Sequence, residues 1–171
     1  RYVGTINPKS KREPIYLYKP TLKLKVSEME TIGLTELDYG KSYQQNQQIG
    51  VIHLHKKGFN GNSISVAVFD AGFKNITRIA SFLRHQANDK LMFGYDLVNL
   101  DNSLSDYDTH GTACASALGA YDKGEFIGSG PLSSLTLFKT ENGKSEYPIE
   151  ELNWCKAAEI ADSLGVDTVS Y

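Results

Sequence analysis

The sequence feature that most constrains the fold is a short apolar run that ends in an acidic residue, "ISVAVFD" at 64–70. The run is rich in β-branched residues and almost free of polar ones. Such a run is typical of a central strand in a parallel sheet, where helices cover both faces of the strand. In open sheets of this kind, catalytic and ligand-binding groups gather at the carboxyl ends of the strands. The pattern therefore places Asp70 where such a sheet carries its chemistry.

Helical and strand patterns alternate along the chain from about residue 50. Ile76, Ile79, Ala80 and Leu83 are spaced as one face of a helix. The predicted helices cover 51–58, 76–86, 110–121 and 148–164, and the predicted strands cover 64–70, 90–98, 134–140 and 166–171. This alternation predicts an α/β fold, with a mainly parallel sheet and helices on both of its faces.

The first 37 residues differ in composition from the rest. They carry seven Lys or Arg against four Glu, and three of the five prolines, Pro8, Pro14 and Pro20. Because proline fixes φ and removes a backbone donor, we predict an extended linker or tail over 1–37 and a folded domain over 38–171. The chain starts with Arg1 instead of Met, so we expect a processed product or part of a longer protein.

The overall charge and hydropathy exclude two classes of protein. The net charge is -2, which argues against a general nucleic-acid binder. No apolar run approaches the roughly 18 residues that a membrane-spanning helix needs, so we expect no membrane span. With 40% hydrophobic and 22% charged residues, the chain can form a packed core.

A histidine in the stretch "DTHGTACAS" at 108–116 is the second candidate functional residue. His110 lies at the start of a predicted helix, and the partial positive charge there disfavours imidazolium. A neutral imidazole suits a general base if an anion stabilises the charge that the ring acquires, and Asp70 can be that anion. Each residue also has a plainer interpretation, Asp70 as a helix-capping or loop acid and His110 as a surface histidine. Their patterns, taken singly, leave both interpretations open.

The remaining histidines and the cysteines are weaker candidates. His53 and His55 are two positions apart and point to different sides of a helix, and His85 lies among polar residues at a predicted solvated helix end. Cys114 and Cys155 are predicted to be buried thiols and not a disulfide pair. No Cys or His spacing is typical of a zinc site, and no phosphate-binding glycine loop supports a nucleotide-binding domain.

Four ordered segments together resemble the subtilisin-like serine proteases. The segments are "GFNGNSISVAVFDAGF", "HGTACAS", "FIGSGPLSSLTLFKT" and "IADSLGVDTVSY", and the resemblance covers roughly 40–171. A further segment, "TENGKSEYPIEELNW", resembles a bacterial branch of that family. In subtilisin, too, the catalytic Asp precedes the catalytic His along the chain. Three positions depart from the family pattern: Ser63 where glycine is frequent, Ala113 where histidine is frequent, and Gly130 where alanine is usual.

The resemblance implies that the chain is the N-terminal part of a serine endopeptidase domain, truncated before its C-terminal half. Asp70 and His110 would then be two members of an Asp-His-Ser triad. The family's nucleophile lies in a Gly-Thr-Ser turn, and neither that turn nor a Gly-x-Ser-x-Gly motif occurs in this sequence. We therefore expect the 171 residues alone to be inactive. The alternative is a non-catalytic pseudoprotease or a fragment that acts as a binding module.

The resemblance also implies partners, a cofactor and a location. The partners would be a polypeptide substrate, the missing C-terminal half of the domain, and an N-terminal prodomain to which residues 1–37 connect. No nucleic acid and no membrane span are expected. The family is usually secreted or held in the cell envelope. Calcium is common in it, but no clustered Asp or Asn loop here allows a site to be assigned, so we assign no cofactor.

Three structural expectations follow. A carboxylate oxygen of Asp70 should lie within about 3.2 Å of His110 Nδ1, the distance of a hydrogen bond that orients a general base. The Cys114 thiol should lie one helical turn from His110 and pack under the imidazole. The helix over 148–164 should expose an apolar face that carries Ile149, Leu152 and Ile160.

Overall fold

A four-stranded parallel sheet forms the centre of the molecule. The computed structural model of the protein describes residues 34–104, 108–145 and 147–171. The strands of the main sheet are β1 (Ser65–Asp70), β2 (Leu91–Asp96), β5 (Ser134–Lys139) and β6 (Thr168–Ser170). Their order is β2-β5-β1-β6, and every neighbouring pair is parallel. A separate antiparallel pair consists of β3 (Tyr121–Asp122) and β4 (Phe126–Ile127). The predicted parallel α/β architecture is confirmed.

All four predicted helices are present, one of them in two parts; the predicted helix over 110–121 ends at Gly119, and the structure adds a short α-helix before 51 that the sequence pattern did not predict. The α-helices in the described ranges are α1 (Tyr43–Gln48), α2 (Val51–Lys56), α3 (Ala80–Ala87), α4 (His110–Gly119) and α5 (Ile149–Ser163). The helix predicted over 76–86 is divided into a 3-10 turn, Ile76–Arg78, and α3. Ile79 between them is extended, with φ -84° and ψ 131°. β-Branched residues lose side-chain freedom in a helix, which favours a break in this segment.

Alternate residues of β1 point into two different apolar clusters. Val66 and Val68 pack in the cluster that includes Ala115 of α4. Ala67 and Phe69 pack in the opposite cluster, which includes Ala157 of α5. Since successive side chains of a strand face opposite sides, both faces of the sheet are covered by helices. This confirms the prediction that was made from the continuous apolar run.

Polar side chains fix the carboxyl edge of the sheet. The Asp96 carboxylate accepts hydrogen bonds from the backbone N–H groups of Val98 and Asn99, at 2.8 and 2.7 Å. These bonds turn the chain, so β2 ends two residues before the predicted limit at 98. Asp96 is fully buried, and its Oδ2 lies 3.3 Å from Lys139 Nζ. Lys139 is the register partner of Asp70, so three charged residues end neighbouring strands at this edge.

The first described residues are attached to the domain through a buried histidine. The Tyr39 hydroxyl lies 2.7 Å from His55 Nδ1, and His55 Nε2 lies 2.9 Å from the carbonyl oxygen of Ser129. A carbonyl can only accept, so Nε2–H donates to Ser129 and the Tyr39 hydroxyl donates to Nδ1. His53 is exposed, which confirms that the two histidines of α2 point to different sides. Most of the predicted tail over 1–37 lies outside the described residues.

Two of the three apolar residues that we predicted on the outer face of α5 are exposed there. Ile149 and Leu152 are exposed as expected, whereas Ile160 is partly buried against the Ala157 cluster. Cys155 is exposed, so the prediction that it is buried was wrong: its position on α5 faces away from the sheet. The two cysteines are free, as predicted.

No helix in the described ranges is long and apolar enough to cross a membrane.

The prediction of a solvated His85 was also wrong. The side chain is 2% exposed and lies edge-on to the Phe82 ring at 5.6 Å. The face of α3 that carries Phe82 turns toward the sheet and takes His85, three residues later, with it. No described residue hydrogen-bonds either ring nitrogen. Burial lowers the pKa of His85 from 6.5 to about 4, and the positive charges of Lys90 and Arg84 act in the same direction.

We predict that burial of His85 makes the fold sensitive to acid. Because the pKa is depressed in the folded state, the unfolded chain binds the proton first, at 6.5 against about 4. The stability due to the neutral ring is therefore complete above pH 6.5 and is lost as pH falls toward 4, by up to about 3 kcal/mol. Urea unfolding of the native protein and of His85→Leu, across this range, measures the difference in slope.

The matched control is His53→Leu, since His53 is an exposed histidine of the same chain. This variant should keep the pH slope of the unmodified protein. If His85→Leu loses stability with acid as steeply as the His53→Leu variant does, the buried ring is not the cause.

Candidate active site

The first residue of the site, Asp70, is the last residue of the central strand β1. Its side chain is buried, with 5% of its surface exposed. The backbone N–H of Ala71 donates to Asp70 Oδ1 at 2.7 Å. The backbone carbonyl of Asp70 accepts from Thr140 N at 3.0 Å, which continues the pairing with β5 past the strand end. Asp70 is therefore held from both its backbone and its carboxylate.

His110, the first residue of α4, faces the Asp70 carboxylate. Its Nδ1 lies 3.0 Å from Oδ1 and 3.0 Å from Oδ2, which confirms the predicted distance. A carboxylate can only accept, so Nδ1–H donates and Nε2 keeps its lone pair. The His110 side chain is 69% exposed. The arrangement thus presents a basic ring nitrogen to solvent and anchors the opposite nitrogen on a buried anion.

The close approach of α4 to the end of β1 depends on Gly111. A Cβ at this position would lie 2.6 Å from the Gly72 carbonyl oxygen and 2.8 Å from the Asp70 Cβ. No larger residue fits without moving the helix. Thr112 then fixes the helix by donating from Oγ1 to the Lys74 carbonyl at 3.0 Å. Consequently the His-Gly-Thr sequence sets the distance between the imidazole and the carboxylate.

Carboxylates around His110 raise the pKa of its imidazole above 6.5. The hydrogen bond to Asp70 is the largest cause and the charge of Asp70 the next, and the charges of Asp108 and Glu141 add to them. We expected the helix start to favour the neutral ring, but these anions outweigh that effect. Asp108 and Glu141 were not among the residues predicted to form the site. The position of Asp108, two residues before His110, was a usable signal, whereas Glu141 is brought there by the fold.

Cys114 lies one turn along α4 from His110, as the spacing predicts. Its Sγ is 3.8 Å from Nδ1 and 3.9 Å from Nε2 of the ring. Nearly equal distances to both nitrogens place the sulfur over the face of the imidazole. The thiol is only partly buried, so the expectation of full burial was wrong. Burial nevertheless raises the pKa of the thiol above 9.0, and the charge of Asp70 raises it further.

Asp70, His110 and Cys114 form a group of potential metal ligands. One ligand atom from each lies within 4.8 Å of the others. The spacing along the sequence is not typical of a zinc site because Asp70 comes from a distant strand. The signal that was available is the separation of His110 and Cys114 by four positions on one helix. Calcium prefers oxygen ligands, so a set with one imidazole and one thiol does not fit it.

Comparisons with known proteins identify the fold. No protein-family model and no curated protein matches the chain. Solved structures do: MycP1 with its N-terminal propeptide removed is 21% identical with a TM-score of 0.54, covering 72% of this chain and 36% of that one. The MycP3 protease from the type VII (ESX-3) secretion system is 18% identical with a TM-score of 0.57, covering 80% and 37%. MycP1 from Mycobacterium smegmatis is 20% identical with a TM-score of 0.54, covering 80% and 36%.

These similarities establish a parallel α/β fold like that of the subtilisin-like MycP structures. At this level of identity they concern the fold alone. The chain spans 36% to 37% of the length of the structures that it matches.

We predict that Gly111→Ala weakens both the fold and the Asp70–His110 contact. The added methyl group meets the backbone carbonyl oxygen of Gly72 and the Cβ of Asp70, neither of which is the free end of a flexible side chain, so α4 must shift away from β1. Overpacking of this kind costs about 1–3 kcal/mol. Denaturant unfolding measures the loss, and the downfield NMR resonance of the His110 Nδ1 proton, expected to weaken or vanish, reports on the contact.

Gly119→Ala on the same helix is the control. Its Cβ would meet the end of the Leu135 side chain, which can adjust. We expect a smaller loss of stability and an unchanged Nδ1 resonance. Equal effects of the two substitutions would show that helix strain in general, and not the approach to Asp70, explains the result.

Proposed function

We propose that the chain is the N-terminal part of the catalytic domain of a subtilisin-like serine endopeptidase. Asp70 and His110 act in it on a serine that is contributed by polypeptide outside these 171 residues. The observation that carries the proposal is the 3.0 Å contact between a buried carboxylate and Nδ1 of an exposed imidazole. The fold of the MycP structures supports the same assignment.

In this reaction His110 is the general base and then the general acid. Its Nε2 accepts the proton of the serine hydroxyl as the oxygen attacks the carbonyl carbon of the peptide bond. The protonated ring then gives that proton to the leaving amine. Water repeats the sequence to release the acyl group. The exposed position of Nε2 suits both transfers.

Asp70 orients His110 and stabilises its charged form. By accepting the Nδ1 proton it holds the tautomer in which Nε2 is free, and it opposes rotation of the ring. Its hydrogen bond from the Ala71 N–H fixes the carboxylate itself. Burial keeps water away from the anion, so its attraction for the imidazolium that forms is only weakly screened.

The remaining parts of the proposal concern partners and location. The substrate is a polypeptide. A further segment of the domain supplies the serine and covers apolar surface such as Ile149 and Leu152 of α5. Residues 1–37 connect to an N-terminal prodomain, in line with the propeptide of the related MycP1 structure. Export to the cell envelope or beyond is in keeping with MycP3, which comes from a secretion system.

The decisive experiment uses the full-length polypeptide and a fluorophosphonate, which reacts only with an activated serine. We expect labelling and peptide hydrolysis in the unmodified protein. His110→Ala should remove both, and Asp70→Asn should lower the rate of hydrolysis by about 10⁴-fold, the loss known for the same change in such a triad. His53→Ala is the control and should keep full activity, because His53 is exposed on α2 and takes no part in the site.

If the folded full-length polypeptide neither reacts with the fluorophosphonate nor cleaves peptides, the catalytic proposal is wrong. A polypeptide that still binds peptides would then favour the alternative of a binding module. Hydrolysis that survives His110→Ala would contradict the mechanism and leave open only a different nucleophile and base.

We predict that the acid limb of the pH–rate profile lies above pH 6.5. His110 must be neutral to act as a base, and the carboxylates around it raise its pKa. Activity should therefore rise with pH as the raised pKa is passed. Removing the Asp70 charge lowers this pKa, so the residual activity of Asp70→Asn should reach its plateau at lower pH. Measurement of kcat/KM against pH tests both points. If the acid limb of Asp70→Asn lies at the same pH as that of the unmodified protein, the limb reports the titration of a group other than His110.

A further inference from the structure

Three chemically different ligand atoms meet at the proposed general base. A carboxylate oxygen of Asp70, a ring nitrogen of His110 and the sulfur of Cys114 lie within 4.8 Å of one another. Oxygen, imidazole nitrogen and sulfur are the protein ligands of zinc, and sulfur excludes the harder cations magnesium and calcium. The set therefore points to a soft divalent cation.

The distances suit a metal ion at the centre of this group. Zinc bonds at about 2.0–2.3 Å separate neighbouring ligand atoms of a tetrahedron by about 3.3–3.6 Å. The Asp70 oxygens lie 3.0 Å and the Cys114 sulfur 3.8 Å from His110 Nδ1, on either side of that range. The third separation, between the Asp70 oxygen and the sulfur, is at most 4.8 Å, and a turn of the exposed imidazole brings the three ligand atoms into range of one ion.

We propose that Asp70, His110 and Cys114 bind Zn²⁺ or Cd²⁺ reversibly, and that the bound ion switches off the general base. The inhibitory consequence rests on the proposed protease function, whereas the binding site does not. Three protein ligands leave a fourth position for water, as in other open zinc sites.

Binding replaces the Asp70–His110 hydrogen bond with metal–ligand bonds. The Nδ1 proton moves to Nε2, so that the ring stays a neutral imidazole, the thiol proton passes to solvent, and the ion occupies the space between the three ligand atoms. Because Sγ lies over the ring face while the nitrogen lone pair lies in the ring plane, the imidazole must turn about its Cβ–Cγ bond. The His110 side chain is 69% exposed and has room to turn. With the proton on Nε2, the ring has no free lone pair to accept the proton of a serine, so the bound ion is inhibitory.

The other cysteine provides a matched comparison. Cys155 is an exposed thiol on α5 and, within the part of the chain that the structure describes, belongs to no group of three potential metal ligands. A single exposed thiol binds these ions weakly and without selectivity. Removing Cys155 therefore leaves Cys114 as the only cysteine of these 171 residues.

The binding experiment is a Cd²⁺ titration of the full-length protein carrying Cys155→Ser. We expect one saturable site with the near-ultraviolet charge-transfer absorption of a thiolate–cadmium bond. Adding Cys114→Ser should abolish that absorption. Asp70→Asn and His110→Ala should each weaken binding by more than about tenfold, the loss that follows removal even of residues that only support a metal ligand.

Absence of saturable absorption in the Cys155→Ser protein would overturn the proposal. So would unchanged affinity in both Asp70→Asn and His110→Ala, since Cys114 would then bind alone. Circular dichroism of each variant verifies the fold, and results are compared among variants that keep it. If His110→Ala unfolds the protein, His110→Gln serves instead.

Activity gives the second readout and separates the two proposals. Zn²⁺ should inhibit peptide hydrolysis by the Cys155→Ser protein, a chelator should restore it, and Cys114→Ser should raise the inhibitory concentration by at least about tenfold. If the protein binds cadmium at this site but does not hydrolyse peptides, the proposed protease function is wrong and the metal site stands. Hydrolysis that Zn²⁺ inhibits equally with and without Cys114 would contradict the metal site alone.

Discussion

The structure depends most on one short hydrogen bond between two elements that are 40 residues apart, the Asp70–His110 contact. It joins the end of the central strand to the first residue of α4, and both are fixed by other interactions. Asp70 is held by Ala71 and by the pairing of β1 with β5. His110 is held by a helix whose Gly111 allows it to approach the backbone. A carboxylate that is buried in this way is tolerated because donors satisfy it.

The same edge of the sheet contains a second buried charge pair, Lys139 with Asp96. Lys139 is in register with Asp70, so the central strands end in ionised side chains where the apolar core stops. Buried charges need partners with good geometry, and such pairs stabilise one arrangement of the chain more than they add to total stability. The ion pair fixes the ends of β2 and β5, which border the strand that carries Asp70. The site therefore rests on a polar layer as well as on the apolar core.

The sequence predicted the features that local pattern controls and missed those that tertiary packing decides. The apolar run ending at Asp70 and the His-Gly-Thr helix start had clear local signals, and the structure places both where they were expected. The sequence did not predict that α3 turns His85 into the core, because polar neighbours suggested solvent. It did not predict that Cys155 faces outward, because helical spacing alone does not tell which face meets the sheet. It predicted that Asp70 and Cys114 each contact His110, but not that the three side chains form one group of potential metal ligands, because that depends on the separation of Asp70 and Cys114 in the fold.

The exposure of His110 has a consequence for its charge. In water the imidazolium is stabilised by solvent, and the hydrogen bond and charge of Asp70 raise the pKa of the ring above its ordinary value. A polypeptide that covers the ring removes the solvent, which by itself lowers the pKa and favours the neutral base. The same covering reduces the local dielectric and strengthens the attraction of the buried Asp70 for the charge that develops later. An exposed imidazole on a buried carboxylate is thus suited to being a free base before proton transfer and a stabilised cation after it.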